Sequence, residues 1–295
     1  MCVAVLNANS TREEIHFSSR FFVGASTLPR LMKNISQQVA TACKSAPMML
    51  YLDAAILAAR AAGELLRQNF QQPLRVNSTE KHDIKLEIDV QTQQLITDSL
   101  LAKFPQHALY GEEGIVGDQS AEYQWVVDPL DGTVNYFYGI PHFCTSIALR
   151  LHGAVIVGVI YDPLRDELWA VSTGEPTRFN GKPCRVSERT KLSEAVVSVG
   201  LSKTGVTIAA GMPLLQDIVH RARKCRLMGS AALDMAYVAC GRLDAYLEQG
   251  ISLWDIAAGW LLIESAGGKV ELTPRADMKD KYSIRAWNGA LDLKL

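Results

Sequence analysis

No apolar run in this chain reaches the roughly 18 to 20 residues that a bilayer-spanning helix needs. Arg60 interrupts the run from Ile56 to Ala62, and Glu264 ends the one after Asp255. Charge of either sign is also missing in excess: 30 Lys and Arg against 31 Asp and Glu leave a net charge of -1. That argues against the broad electrostatic footprint of a protein bound to nucleic acid or an anionic membrane. No CxxC spacing links Cys2, Cys43, Cys144, Cys184, Cys225 and Cys240, so the thiols read as reduced residues and not as a disulfide frame or a zinc site. His82, His107, His142, His152 and His220 show no ligand spacing either. Repeats and low-complexity tracts are absent. The expectation is a cytoplasmic protein with no membrane and no nucleic-acid partner.

What is present is enough material for a large core. The 295 residues are 48% hydrophobic and 21% charged, as in a globular protein. Residues 1–46 are rich in Ser, Thr and Arg, with Glu13 and Glu14 nearly the only acids. They read as a poorly ordered or partly helical extension, ahead of the alternative of a transit peptide. A first helix is expected over Tyr51–Asn69, where Leu52, Ala55, Ile56, Ala59, Ala62, Leu65 and Leu66 share a face before Pro73. A second is expected from Val90 to Leu101, with Asp89 as its N-cap. Strands are expected at Ala108–Tyr110, Thr145–Leu151, Ala154–Ile160, Glu167–Val171, Ala195–Val199, Asp244–Leu247 and Lys269–Leu272. His152-Gly153 and Asn180-Gly181 mark turns. Helices are expected over Gly211–Ala222, Ser230–Ala239 and Ile256–Ser265. Helices alternating with antiparallel hairpins predict a layered α/β (α+β) architecture, not a purely doubly wound sheet.

The most informative stretch is Asp128-Pro-Leu-Asp-Gly-Thr133, entered from the apolar run Trp125-Val-Val127. Pro129 holds Asp128 extended, so both acids should leave one edge of the sheet. Two carboxylates in one small space repel, and a hard divalent cation removes the repulsion by taking oxygen ligands. Gly132 lets backbone approach a ligand, and Thr133 offers a hydroxyl at a helix start that favours an anion. Taken alone, the same six residues also fit a surface turn. Glu112, in Gly111-Glu-Glu-Gly114, and Asp255 stand at similar strand-to-turn junctions. Singly, they also fit a solvated turn acid and a helix N-cap.

Jointly, these residues resemble the inositol monophosphatase family, within the superfamily of Mg2+-dependent, lithium-inhibited phosphatases. The resemblance runs from about residue 48 onward. It is carried by Trp125-Val-Val-Asp-Pro-Leu-Asp-Gly-Thr-Val-Asn135 and Trp254-Asp-Ile-Ala-Ala-Gly-Trp-Leu-Leu-Ile-Glu-Ser-Ala-Gly-Gly268, with Gly111-Glu-Glu113 and Gly229-Ser-Ala-Ala232 in support. It implies an alternating α-β-α-β-α sandwich of the inositol monophosphatase/fructose-1,6-bisphosphatase type over residues 47–295. It also implies two or three Mg2+ ions on Glu112, Asp128, Asp131, Asp255 and the Leu130 carbonyl. Thr133 with Glu112 would activate water, Gly132 and Thr133 amides would hold phosphate, and Asp89 with Asp83 would stand near the catalytic threonine. Ser230, Ala231, Glu248 and Asp255 would contact the substrate.

The implied reaction is hydrolysis of a small phosphomonoester, inositol monophosphate first, by a homodimer. Histidinol phosphate, fructose 1,6-bisphosphate and 3'(2'),5'-bisphosphate nucleotides are the alternatives. A regulatory role, as in bacterial relatives that act on transcription complexes, is the alternative of another class. One departure stands out: the family's usual lysine before Asp83 is Ser78 here, which leaves Lys81 or Lys85 to supply its charge and puts lithium sensitivity in doubt. The basic stretch Arg221-Ala-Arg-Lys-Cys-Arg226 fits either a second phosphate or a solvated helix end.

Overall fold

The computed structural model describes residues 47–81, 83–201, 204–275 and 281–293. The expected extension over 1–46 lies outside the described residues. In chain order come α1 (Pro47–Asn69), the hairpin β1 (Val76–Glu80) and β2 (Asp83–Leu86), and α2 (Glu87–Lys103). Next are β3 (Ala108–Gly111), β4 (Gly114–Val116), β5 (Tyr123–Asp131) and the short α3 (Thr133–Phe137). A run of antiparallel strands follows: β6 (Cys144–Leu151), β7 (Ala154–Asp162), β8 (Glu167–Ser172), β9 (Arg178–Phe179) and β10 (Lys182–Pro183). The last part holds β11 (Val196–Gly200), α4 (Gly205–Arg221), β12 (Lys224–Arg226), α5 (Ala231–Ala239), β13 (Ala245–Ser252), α6 (Leu253–Ser265), β14 (Lys269–Pro274) and β15 (Lys281–Trp287).

Two sheets organise these elements. One has eight strands in the order β10-β9-β8-β7-β6-β5-β3-β4, and the other five in the order β12-β11-β13-β15-β14. Helices α1 and α2 pack on the outer face of the larger sheet, α5 and α6 lie between the sheets, and α4 covers the smaller one. The fold is therefore the five-layer α-β-α-β-α sandwich that the sequence motifs imply. The middle layer must be apolar on both sides. Accordingly Ala257, Ala258, Leu262 and Ile263 of α6, with Ala232, Leu233, Met235 and Ala236 of α5, are fully buried against Val126, Ile160, Trp169, Tyr246 and Ile284 from the sheets.

Local chemistry sets the boundaries. The hairpin between β6 and β7 turns on His152 (φ 48°) and Gly153 (φ 83°), two successive positive-φ residues whose twist matches the flanking strands. Four helices begin earlier than the sequence reading has them, α1 among them, which starts at Pro47 and not Tyr51. In α2 the N-cap is Leu86, and Asp89 sits at the third helical position, its Oδ2 accepting the Leu86 N–H at 2.9 Å. In α6 the N-cap is Ser252, and Asp255 accepts the Ser252 N–H at 3.0 Å. Neither acid is the N-cap itself; each reaches back to it, which is the other half of a capping box. Helix α4 starts at Gly205 behind the Thr204 cap, ahead of the Gly211 start that the sequence suggests.

Candidate active site

The long strand β5 runs between β6 and β3 and carries Asp128 and Asp131 to its C-terminal end. The two acids thus leave the end of an interior strand and not an edge of the sheet. Pairing with β6 slips between Asp128 and Asp131. In this bulge Pro129, which has no N–H to give, accepts the Thr145 hydroxyl on its carbonyl at 3.0 Å. Asp128 Oδ1 accepts the Leu130 N–H at 3.0 Å. At Gly132 φ is 99°, the left-handed region where glycine is favoured, and a Cβ there would lie 3.0 Å from the His142 carbonyl. The chain then enters α3 at Thr133, whose hydroxyl donates to the Leu130 carbonyl at 3.0 Å.

Parallel pairing of β3 with β5 delivers the third acid. Gly111 is opposite Val127, and the Glu112 N–H continues the ladder to the Val127 carbonyl at 3.1 Å. Gln93 of α2 holds the turn beyond it, accepting the Glu113 N–H at 2.9 Å and donating to the Gly114 carbonyl at 3.1 Å. Asp255 arrives from the first turn of α6. Glu112, Asp128 and Asp255 each offer a carboxylate oxygen, and the three oxygens lie within 4.8 Å of one another. Asp131 stands beside this triad: its Oδ2 accepts the Ser230 hydroxyl at 2.7 Å and the Ala232 N–H at 2.6 Å, both from the start of α5.

Four acids this close, two of them buried, cannot all be ionised without a counter-charge. Burial first, then the charges of Glu112, Asp131 and Asp255, push Asp128 well above the usual carboxylate range. Burial and Asp255 push Asp131 up to about 8, against the opposing hydrogen bonds from Ser230 and Ala232. Oxygen-only donors from three separate elements, with charge to be neutralised, suit a hard divalent cation such as magnesium or manganese.

These residues line a cavity of about 550 Å3. Its lining includes Glu112, Asp128, Leu130, Asp131, Gly132, Thr133 and Asp255, together with Ser230, Ala231, Asp234, Tyr246 and Glu248. Asp89 is 3% exposed at the start of α2 and is not among the lining residues. It lies close enough to Tyr136 of α3 that its charge raises the Tyr136 phenol, after burial. The side chain of Asp83 lies outside the described residues. None of Arg221, Arg223, Lys224 or Arg226 lines the cavity; Arg221 instead pairs with Asp217. Among the described residues no histidine takes part in the acidic cluster; His142 pairs with Asp234 at 3.3 Å.

Other groups were not singled out in the sequence. Lys281 lines the cavity and donates to the Ser252 hydroxyl at 2.6 Å. Asn135 donates to the carbonyls of His142 and Met228, each at 2.8 Å, tying α3 to the loop before Ser230. Asn135 was at least visible as the end of a motif, whereas Lys281 sits in a polar segment with no local signal. Among the described residues no helix is long and apolar enough to cross a membrane, and Cys144, Cys184, Cys225 and Cys240 are free thiols.

The fold and site define a layered α/β sandwich with a carboxylate cluster at the end of an interior strand. Within it, residues 49–286 match the model of the inositol monophosphatase family. The chain is 38% identical over 250 residues to the Nus factor SuhB of Pseudomonas aeruginosa, covering 82% of this chain and 92% of the relative. It is 37% identical over 249 residues to an inositol-1-monophosphatase of Mesorhizobium japonicum, covering 83% and 94%. The solved inositol monophosphatase of Anabaena (Nostoc) superposes with a TM-score of 0.72 at 37% identity, over 83% of this chain and 92% of that one. The protein belongs to the inositol monophosphatase family.

Proposed function

We propose that this protein is a phosphoric monoester hydrolase that uses magnesium and water to release phosphate from a small polyol phosphate, inositol monophosphate first. The observation that carries the reading is the meeting of Glu112, just past β3, with Asp128 of β5 and Asp255 of α6, their oxygens within 4.8 Å of one another. The family membership and the name of the Mesorhizobium relative support it.

A phosphate monoester is inert because water is a poor nucleophile, the phosphoryl oxygens are anionic and an alkoxide is a poor leaving group. Two or three Mg2+ ions on Glu112, Asp128, Asp131, Asp255 and the Leu130 carbonyl would supply hydroxide near neutral pH and offset the charge on the leaving oxygen. The rest falls to the chain. Thr133 spends its proton on the Leu130 carbonyl, so its oxygen is left to accept a hydrogen bond from the attacking water. Glu112 would take the proton. The amides of Gly132 and Thr133 would hold phosphate oxygens, and Asp89 would support Thr133 through α2 and Tyr136. Ser230, Ala231, Glu248 and Asp255 would receive the alcohol, with the Glu248 carboxylate accepting hydroxyl protons and repelling a second phosphate. A homodimer acting in the cytoplasm completes the reading.

The test is a phosphate-release panel with inositol 1-phosphate, histidinol phosphate, fructose 1,6-bisphosphate and adenosine 3',5'-bisphosphate. The proposal expects Mg2+-dependent release with the highest kcat/KM on inositol 1-phosphate. A bisphosphate as best substrate would overturn the polyol assignment, and no release from any of the four would overturn the enzyme. The name Nus factor, carried by several relatives, favours a second reading as a regulatory binding protein on the same fold. Pull-down with Asp128→Asn separates the two, because a scaffold keeps its partners when hydrolysis is gone.

A further inference from the structure

Part of the cavity wall is built on two parallel neighbours, β11 and β13. Tyr246 and Glu248 are two residues apart on β13 and so point to one face. Across the ladder, Gly200 of β11 is directly opposite Glu248. Both β13 side chains are buried, Tyr246 at 1% and Glu248 at 5% exposure, and both line the cavity. The Tyr246 hydroxyl donates to Glu248 Oε2. Gly200 makes this possible: a Cβ there would run into the Glu248 carboxylate and stand 2.7 Å from the Tyr246 hydroxyl. Gly200 has no positive φ, so what glycine provides here is room, not backbone freedom.

We propose that Tyr246 is a positioning residue that fixes the Glu248 carboxylate as a rigid acceptor for hydroxyl groups of the substrate's alcohol, in a slot that Gly200 leaves open. A buried carboxylate without a donor pays a desolvation penalty and swings among rotamers. One held by a phenol is oriented before substrate arrives, so less ordering is left for the binding step. Burial and the adjacent Glu248 keep the phenol protonated well beyond neutral pH, so the donor is permanent. The pair therefore selects esters of alcohols rich in hydroxyl groups over esters whose alcohol has no hydroxyl to give. This inference rests on the phosphatase reading for its substrate and adds a specificity device to it.

The test compares the full-length chain with Tyr246→Phe, Gly200→Ala, Glu248→Gln and the double variant Tyr246→Phe/Glu248→Gln on inositol 1-phosphate and phenyl phosphate. Tyr246→Phe should raise KM for inositol 1-phosphate about tenfold, the size of one hydrogen bond to a charged group. Its kcat on inositol 1-phosphate, and both constants on phenyl phosphate, should move by no more than about twofold. Gly200→Ala, whose Cβ would push aside the Glu248 carboxylate and crowd the Tyr246 hydroxyl, should reproduce that selective rise, and the double variant should be no worse than Glu248→Gln alone. Equal losses on both esters, no loss on either, or additive losses in the double variant would overturn the assignment. If the wild type hydrolyses neither ester, the phosphatase reading falls. Calorimetric affinity for inositol 1-phosphate then needs no turnover and still decides the inference: weaker binding by Tyr246→Phe upholds it, and equal binding by wild type and Tyr246→Phe overturns it.

Discussion

Ser78 and Lys85 face each other across the β1–β2 hairpin. Directly opposed residues of an antiparallel pair share a face, so the position where the family carries a lysine has one beside it, delivered from the neighbouring strand. Lys85 lines the cavity, 3.6 Å from Glu113 Oε1. An ammonium there should attract phosphate and repel a further cation. Lys85→Ala is expected to lower the Mg2+ concentration for half-maximal activity and to weaken inhibition by inorganic phosphate, each about two- to fivefold, as suits a half-exposed charge. Lys85→Arg should retain both values. Metal titrations and phosphate competition check the pair.

Asp128→Asn separates catalysis from stability. The amide keeps an acceptor for the Leu130 N–H but cannot act as an anionic ligand, so phosphate release should fall by about a thousandfold or more. Removing a buried acid repelled by three neighbours should also raise the melting temperature of the metal-free protein by about 2 °C or more. Added Mg2+ should stabilise the wild type and leave the variant nearly unmoved. Calorimetric melts with and without the ion read all three effects.

Stability of the metal-free protein should run against the usual acid-denaturation trend. The Asp131 carboxyl is raised to about 8 and Asp128 also moves upward, so the folded state binds these protons more tightly than the unfolded chain, whose carboxylates titrate near about 4. Their contribution is fully present below the unfolded value and is lost as pH rises through the folded one. Melting temperature without metal should therefore decline from about pH 5 to pH 8. The increment given by Mg2+ should grow over the same interval, because the ion binds the ionised acids. A flat metal increment across that range would refute this linkage.

Asn135→Ala should loosen the site from behind. It strips hydrogen bonds from the carbonyls of His142 and Met228, a loss of about 1 to 3 kcal/mol for part-buried acceptors. The loop it frees leads to Ser230, which holds Asp131, so phosphate release should drop as well. Urea unfolding and kinetics on the same preparation measure the two consequences.

The contrast between what the residues disclosed and what they hid is physical. Strand β7 is a nearly continuous apolar run, β6 and β8 hold the apolar stretches Ile147–Leu149 and Leu168–Val171, and His152-Gly153 and Asn180-Gly181 take positive φ as their chemistry demands, so the larger sheet was readable. The smaller sheet was less so, because β15 reads Lys-Tyr-Ser-Ile-Arg-Ala-Trp. It is strand only because β13 and β14 pair on either side of it. The β1–β2 hairpin is mostly polar, with only Val76, Ile84 and Leu86 apolar, and was not assigned from the sequence. Helix starts were misplaced at Asp89 and Asp255 because an acid at the third position and an acid at the cap look alike until the backbone they reach is known. For the site, local pattern located Glu112, Asp128, Asp131, Thr133 and Asp255 one by one. The closeness of Glu112, Asp128 and Asp255 depends on β3 pairing with β5 and on where α6 begins, which no local window contains. Gln93, Tyr246 and Gly200 matter through their partners, and were silent for the same reason; Lys85 was visible only as one of two lysines able to supply the charge missing at Ser78.

Anomalous diffraction from crystals soaked in Mn2+, which takes the same oxygen donors as magnesium, tests the central claim most directly. The account predicts manganese peaks ligated by Glu112, Asp128 and Asp255, with Asp131 and the Leu130 carbonyl completing the coordination. Crystals with no peak at this cluster, or with Glu112 or Asp255 turned away from Asp128 in the presence of the ion, would contradict it.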